Sequence, residues 1–321
     1  MLEKRLQLVA STDVFRCDDR QWPSCHCATI ESRGDTLIAA WYAGAYEKSP
    51  DQAILWSRCQ APAWIWQPAV PLVNTPAMAD GNPVLWSAPD GRLWLFFVTI
   101  VGQGWDQCKL LAQVSPDSYA WRQPQVVREE LGWMARARPL SLPDGRTLLP
   151  LYDERDWSGH VVDLGRVYDG GPLLRRYGHV TAPQGLIQPV IVPLADGRLR
   201  MYLRTGGPGG FIWQSESADG GRTWTYPEPT CLPNPNSGID ALRLHNGWLV
   251  MAYNDSKVAR TPLCLAVSED DGATWQHELC VENGPGEFSY PTLVQDGRAN
   301  LHLLFTHKRR SIAHRVYRVL D

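Results

Sequence analysis

Apolar and polar positions follow one another along this chain in a fixed order. A polar residue is followed by proline or a small residue, a few apolar residues, a tight turn that is most often Asp-Gly or Asn-Gly, and a second apolar run. This unit occurs six times, beginning at His26, Asn82, Arg138, Gln188, Asp240 and Tyr290. Short strands in a repeat of about fifty residues are typical of a β-propeller. The pattern therefore predicts an all-β fold with six blades of four antiparallel strands.

A second repeat marks a turn within the blades. The octet S-x-D-x-G-x-T-W occurs at Ser217–Trp224 and again at Ser268–Trp275. Its Asp carboxylate can accept backbone N–H groups across a turn, and its Gly can take a left-handed conformation without steric cost. Thr and Trp then begin the next strand. In these residues the sequence resembles the Asp-box, or BNR repeat, of the sialidase-like β-propellers, in which the box lies between the third and fourth strands of a blade.

The repeats run through the chain without a linker, so residues 1–321 are predicted to form a single domain. Blade six shows only three strand-like runs. We expect the N-terminal segment Arg5–Ala10 to supply its fourth strand and close the ring. Closure removes the open sheet edges that otherwise invite aggregation.

Composition excludes several function classes. The net charge is −3, which gives no electrostatic basis for binding nucleic acid or an anionic membrane. The sequence shows neither a stretch long and apolar enough to span a bilayer nor the apolar core of a signal peptide. Its 8 cysteines form no disulfide framework. Reduced thiols and a cytoplasmic location are therefore predicted.

The six polar residues that begin the repeats are the first candidates for a site. In a propeller the innermost strand of each blade runs along the central channel, so these residues are predicted to surround it. A purely structural channel needs no set of six different polar groups at equivalent positions. Arg204 and Arg260, from neighbouring loops, are predicted to face the same end of the channel.

The resemblance to sialidase-like enzymes implies roles for individual residues. These enzymes have a Tyr nucleophile in the first strand of the last blade, and Tyr290 in Phe288–Leu293 matches it. They have an arginine shortly before the last Asp-box, matched by Arg260, and an acid/base Asp after the first-blade motif, matched by Asp51. An activated Tyr can serve where an anionic substrate would repel a carboxylate nucleophile.

The sequence departs from the family at two further arginines. His26 lies where the family has a Phe/Tyr-Arg-Ile-Pro motif, and no arginine directly precedes the blade-four Asp-box, so Arg138 or Arg204 would have to substitute. Arginines bind a sialic carboxylate bidentately. The resemblance thus implies an exo-acting glycoside hydrolase, similar to a sialidase (neuraminidase), on a terminal acidic or sialic-acid-like sugar, and leaves the sugar open.

Two other functions fit the same residues. A polysaccharide lyase acting on uronate-containing glycans would use His26 and Tyr290 as base and acid, with Arg138 or Gln188 neutralising the uronate; a neutral His is a suitable base near neutral pH. A non-catalytic glycan-binding propeller would explain the missing arginines. A glycan is the expected partner in each case.

No cofactor or metal is predicted. Cys25, His26 and Cys27 are adjacent in the sequence. On a strand, however, neighbouring side chains point to opposite faces, so these three cannot share one ion.

Overall fold

The computed structural model describes residues 5–165, 175–206 and 210–320. These residues form six antiparallel sheets, which confirms the six-bladed propeller predicted from the repeat. Four sheets have 4 strands, and those of blades one and three have 5 because each carries an extra short strand. Helical structure within the described ranges is limited to a single 3₁₀ turn, Trp105–Gln107. The described part of the chain thus holds no helix with the length and hydropathy that a membrane crossing requires.

The strands are numbered in chain order, starting with β1 (Leu6–Arg16), which belongs to the last blade. Blade one consists of β2 (Ser24–Arg33), β3 (Thr36–Gly44), β4 (Ala53–Gln60), β5 (Ile65–Trp66) and β6 (Val70–Val73). Blade two consists of β7 (Asp80–Ser87), β8 (Leu93–Ile100), β9 (Cys108–Ser115) and β10 (Gln125–Arg128). Blade three consists of β11 (Trp133–Ala135), β12 (Leu140–Ser141), β13 (Thr147–Asp153), β14 (Ser158–Asp163) and β15 (Arg175–Val180).

The second half of the ring follows the same order. Blade four consists of β16 (Leu186–Pro193), β17 (Leu199–Thr205), β18 (Phe211–Ser217) and β19 (Glu228–Pro233). Blade five consists of β20 (Asp240–Arg243), β21 (Leu249–Asn254), β22 (Leu263–Ser268) and β23 (Gln276–Glu282). Blade six consists of β24 (Phe288–Gln295), β25 (Asn300–His307), β26 (Ser311–Val319) and β1.

The N-terminal strand closes the ring as predicted. β1 pairs with β26 in antiparallel register, from Leu6 opposite Val319 to Arg16 opposite Ser311. The strand is longer than the expected segment Arg5–Ala10. Beyond Ala10 it continues through the polar residues Ser11, Thr12 and Asp13 to the buried Val14, because an outer strand is held by backbone hydrogen bonds and presents one face to solvent. Such a polar run gives little apolar signal in the sequence.

The apolar core lies between neighbouring blades. Both faces of the inner strands are covered, so a strand such as β8 is buried at every position. One cluster joins blades two and three through Phe96, Leu149 and Tyr152, and another joins blades five and six through Val250 and Leu303. The blades are therefore held to one another mainly by apolar contact.

In both intact Asp-boxes the Asp and the Gly have the predicted geometry, but Thr and Trp precede the next strand rather than begin it, since β19 starts at Glu228 and β23 at Gln276. In Ser268–Trp275 the Asp270 carboxylate accepts hydrogen bonds from the Thr274 N–H at 2.9 Å and from the Ser268 hydroxyl at 2.8 Å. Hydrogen bonds lower the pKa of Asp270 to about 2, and the largest contribution comes from the Thr274 hydroxyl. Gly272 has a φ of 83°, and a side chain there would meet the Tyr202 hydroxyl of the preceding blade at 2.4 Å. The box thus shapes the turn and also lets two blades approach closely.

Two leucines on the closing strand test the contribution of ring closure. Leu6 is 1% exposed against blades five and six, whereas Leu8, two residues along the same strand, is 52% exposed. We expect Leu6→Ala to lower the free energy of unfolding by about 2 to 4 kcal/mol, through lost burial and a cavity. Leu8→Ala should change it by less than about 0.5 kcal/mol. Urea denaturation of both variants measures this, and equal losses would contradict the inward orientation of Leu6.

Candidate functional site

A β-bulge interrupts the innermost strand in four of the six blades. Strand pairing shifts between residues 26 and 29, 81 and 84, 187 and 190, and 289 and 292. Each bulge holds a non-glycine residue in the left-handed region: Cys27 (φ 57°), Asn82 (φ 46°), Gln188 (φ 54°) and Tyr290 (φ 52°). Such conformations cost energy and concentrate at functional sites. In three of the bulges the next residue is proline, which cannot donate to the ladder where pairing is interrupted.

A cavity of about 200 Å³ lies beside these bulges. The last residues of the second strands, and the residues that follow them, complete its wall. It combines aromatic rings, carboxylates and guanidinium groups. The residues that line it are Tyr42, Glu47, Asn82, Trp105, Met134, Tyr152, Glu154, Trp157, Gln188, Arg204, Arg260, Tyr290 and Arg309.

Tyr290 is held from several directions. Its hydroxyl oxygen accepts hydrogen bonds from Arg204 Nη1 at 2.8 Å and from Gln188 Nε2 at 3.4 Å. The guanidinium carbons of Arg136 and Arg260 each lie 5.4 Å from the centre of its ring. The hydroxyl oxygen and the ring of Tyr290 are therefore both fixed in place within the cavity.

The floor of the cavity is a neutral hydrogen-bonded group. The Tyr152 hydroxyl accepts from Asn82 Nδ2 at 2.8 Å and from Gln188 Nε2 at 3.4 Å. All three side chains are buried, and burial raises the pKa of Tyr152 well above its usual value. These groups fix the side chains that support Tyr290 without adding charge.

Three guanidinium groups face the cavity and two of them share a carboxylate. Arg260 Nη1 and Arg309 Nε lie 3.1 Å and 3.3 Å from the oxygens of Glu287. Burial opposes ionisation of Glu287, but Arg309, Ser289 and Arg260 outweigh it and lower its pKa. Arg204 instead donates from Nε to Asn236 at 2.7 Å. The cations are therefore fixed in place while their charge faces the cavity.

Two further carboxylates line the cavity and differ in their partners. Glu47 pairs with Arg309 and accepts from Trp105 Nε1 at 3.2 Å. The Glu154 side chain has no hydrogen-bond or ion-pair partner among the described residues. Burial raises the pKa of Glu154, and Arg204 only partly offsets this. Glu154 is thus the lining carboxyl best suited to carry a proton.

His26 lies behind this surface and does not line the cavity. It is 1% exposed, with Nδ1 2.9 Å from the Thr306 hydroxyl and its ring centre 4.2 Å from that of Tyr290. Burial and the charges of Arg309, Arg260, Arg136 and Arg204 place its pKa well below the usual value. His26 is therefore neutral at neutral pH and supports the Tyr290 ring.

Five of the nine predicted site residues meet at the cavity: Asn82, Gln188, Arg204, Arg260 and Tyr290. The other predicted residues lie elsewhere. Arg138 donates a hydrogen bond to the Leu293 carbonyl, and its Nη2 lies 3.7 Å from a carboxylate oxygen of Asp240. The Asp240 carboxylate also accepts hydrogen bonds from the backbone N–H groups of Ala241 and Leu293. Asp51 is exposed, and its carboxylate accepts from the Ala45 N–H at 3.1 Å within a turn. It is outside the lining, as is His26.

Four further groups shape the site beyond the nine predicted residues. Arg136 is two residues before the predicted Arg138 and reaches under Tyr290, in the segment where the first strand of blade three breaks between Ala135 and Leu140 and its pairing with β13 shifts by two residues. Glu47, Glu154 and Arg309 follow the second strands of blades one, three and six. The sequence already offers Glu47 and Glu154 as weaker candidates, because they come just after a second strand, whereas Arg309 is not among those candidates.

Within the described ranges, His, Cys and acidic side chains close enough to share an ion form one group, on blade five, and none of its members lines the cavity. The profile of the BNR repeat-like domain family matches residues 35–303. The chain belongs to this family. The resemblance drawn from the Asp-box octets is thereby confirmed, whereas none of the curated proteins matches the sequence significantly.

Solved structures with this propeller include several sialidases. A protein of unknown function from Dyadobacter fermentans superposes with a TM-score of 0.80 at 15% identity, over 98% of this chain and 100% of the other. The NanB sialidase of Streptococcus pneumoniae gives 0.79 at 10% identity, over 96% and 70%. The intramolecular trans-sialidase of Ruminococcus gnavus gives 0.77 at 12% identity, over 96% and 97%. At such identities the similarity establishes the fold alone.

The neutral state of His26 makes stability depend on pH. The unfolded chain binds a proton at His26 below about pH 6.5, but the folded protein does not, so folding loses stability as the pH falls through that range. We expect His26→Asn to make this decline shallower, by up to about 1.4 kcal/mol per pH unit. Urea denaturation across the range measures it. The exposed His245→Asn is the control and should leave the slope unchanged; parallel slopes for His26→Asn and wild type would refute the assignment.

Proposed function

We propose that the protein is an exo-acting glycoside hydrolase that removes a terminal acidic sugar from a glycan. The observation that carries this proposal is the position of Arg204, Arg260 and Arg309 around one small cavity that also contains Tyr290. Guanidinium groups recognise carboxylates through paired N–H donors. The buried group beneath, formed by Asn82, Gln188 and Tyr152, closes the cavity and so favours the end of a chain over its middle.

Tyr290 is the proposed nucleophile. The Tyr290 hydroxyl passes its proton to water and its oxygen attacks the anomeric carbon, while the bond to the aglycone oxygen breaks and a proton from an acid completes the leaving alcohol. Water then attacks the anomeric carbon of the glycosyl-tyrosine. The same acid group takes a proton from that water as base, and the bond to the Tyr290 oxygen breaks to release the enzyme. Arg204 and Gln188 support the reactive oxygen through the hydrogen bonds they donate to it.

Glu154 is the proposed acid and base. Its carboxyl lines the cavity and its raised pKa keeps a proton available closer to neutral pH. The role that the family resemblance implies for Asp51 stays a prediction. Because Asp51 accepts hydrogen bonds from the Ala45 N–H, it serves as the matched carboxylate in the test below.

Elimination and simple binding are the competing functions. A lyase would need His26 to take a proton from the substrate, and its 1% exposure favours a supporting role. A binding module would use the same arginines without turnover. The masses of products from sialosides, uronate-containing glycans and their carboxyl-reduced counterparts distinguish all three.

We expect cleavage of an acidic substrate with the gain of one water and no cleavage of its carboxyl-reduced form. Tyr290→Phe should lower turnover by more than roughly 10³-fold, because it removes the nucleophilic oxygen and keeps the ring. An unsaturated uronate product would show elimination instead. Binding without cleavage across the panel would favour the binding module.

A leaving-group comparison tests the acid. Glu154→Gln should slow hydrolysis of an alkyl glycoside by about 10² to 10⁴-fold, and affect the first step on an activated aryl glycoside far less, since a phenolate leaves without a proton. Asp51→Asn should change neither rate by more than a few-fold. If Asp51→Asn shows the leaving-group dependence and Glu154→Gln does not, the acid is Asp51.

A further inference from the structure

A second group of reactive side chains lies on blade five, outside the cavity. The ligand atoms of Asp255, Cys264 and His277 lie within 4.8 Å of one another. His277 Nδ1 is 3.8 Å from an Asp255 carboxylate oxygen. Asp255 and His277 are exposed, whereas Cys264 is fully buried, so the group is open to solvent on one side and anchored in the core on the other.

We propose that Asp255, Cys264 and His277 bind a divalent transition-metal ion of the zinc class. A thiolate, an imidazole and a carboxylate are all zinc ligands, and the soft sulfur disfavours calcium and magnesium. A tetrahedral ion with bonds of about 2.0 to 2.3 Å holds its ligands roughly 3.3 to 3.8 Å apart. The observed spacing reaches that geometry through small movements of the two exposed side chains. The fourth position is left to water.

The three ligands come from adjoining parts of one sheet. Asp255 directly follows β21, Cys264 is the second residue of β22, and His277 is the second residue of β23. The Asp255 N–H donates a hydrogen bond to the Pro262 carbonyl at 3.1 Å, which holds that end of the loop close to the start of β22. Cys264 is fixed by the core cluster of blades four and five. The site is therefore built on ordered strands.

The position of the site links it to the loop of residues 256–263. Two of the ligands lie on either side of this loop, and Arg260 within it lines the cavity. An ion bound by both ends removes freedom from the loop between them. The metal therefore acts as a clip that restrains the segment presenting Arg260.

Cobalt(II) substitution tests the proposal with the purified full-length protein, stripped by a chelator and kept reduced with a phosphine. We expect one cobalt ion per chain, a thiolate-to-cobalt charge-transfer band in the near ultraviolet, and loss of both when zinc competes. Cys264→Ala and His277→Ala should lose the band. Cys280→Ala, which removes the thiol opposite Cys264 in the ladder, and His245→Ala, which removes an exposed imidazole of the same blade, should keep it.

The assignment would be overturned if the wild-type protein shows no thiolate band. It would also be overturned if the band survives Cys264→Ala or disappears in Cys280→Ala. Circular dichroism verifies that each variant folds. Should the buried Cys264→Ala fail that check, the exposed His277→Ala decides the result.

Hydrogen exchange provides a readout that is independent of activity. Zinc should slow exchange in residues 256–263 of the wild-type protein but not of His277→Ala, and equal exchange with and without zinc would exclude the clip.

Discussion

Burial of both faces of the inner strands, which is complete in β8, is the constraint on which the rest of this structure depends. Each blade packs between two others, so a strand such as β8 has no position free for a polar side chain that faces solvent. The reactive side chains of the cavity therefore lie where a ladder ends or is interrupted. The cavity follows from this, since it is made from bulges in the first strands and from residues at or just beyond the ends of the second strands.

Charge compensation explains why a cavity with so many arginines is compatible with folding. Glu287 lies between Arg260 and Arg309, and Glu47 also pairs with Arg309. Buried cations need such partners because their desolvation is costly. Arg204 is held by neutral groups and keeps more of its charge for a ligand. The Glu154 carboxyl has no such partner in the described chain, and the site therefore separates groups that bind an anion from one that can move a proton.

Sequence patterns found the site residues that are tied to a repeat position and missed those that are not. Asn82, Gln188 and Tyr290 precede proline at a bulge, so the repeat located them. Arg138 fits the same pattern in sequence, but the first strand of its blade is interrupted over a longer segment, between Ala135 and Leu140, and the guanidinium beneath Tyr290 belongs to Arg136. Local spacing does not specify where a ladder slips, because slippage depends on the partner strand.

By itself, the sequence determined the six blades, the Asp-box turns and the closing N-terminal strand. These features are repeated and local: a carboxylate such as that of Asp270 and a left-handed glycine shape a turn wherever they occur. Only the tertiary structure decided that Arg309 and Glu154 share a cavity with Tyr290, and that His26 lies behind it. Those residues come from different blades, and their distances depend on how the packed sheets close into a ring, which no single stretch of sequence records.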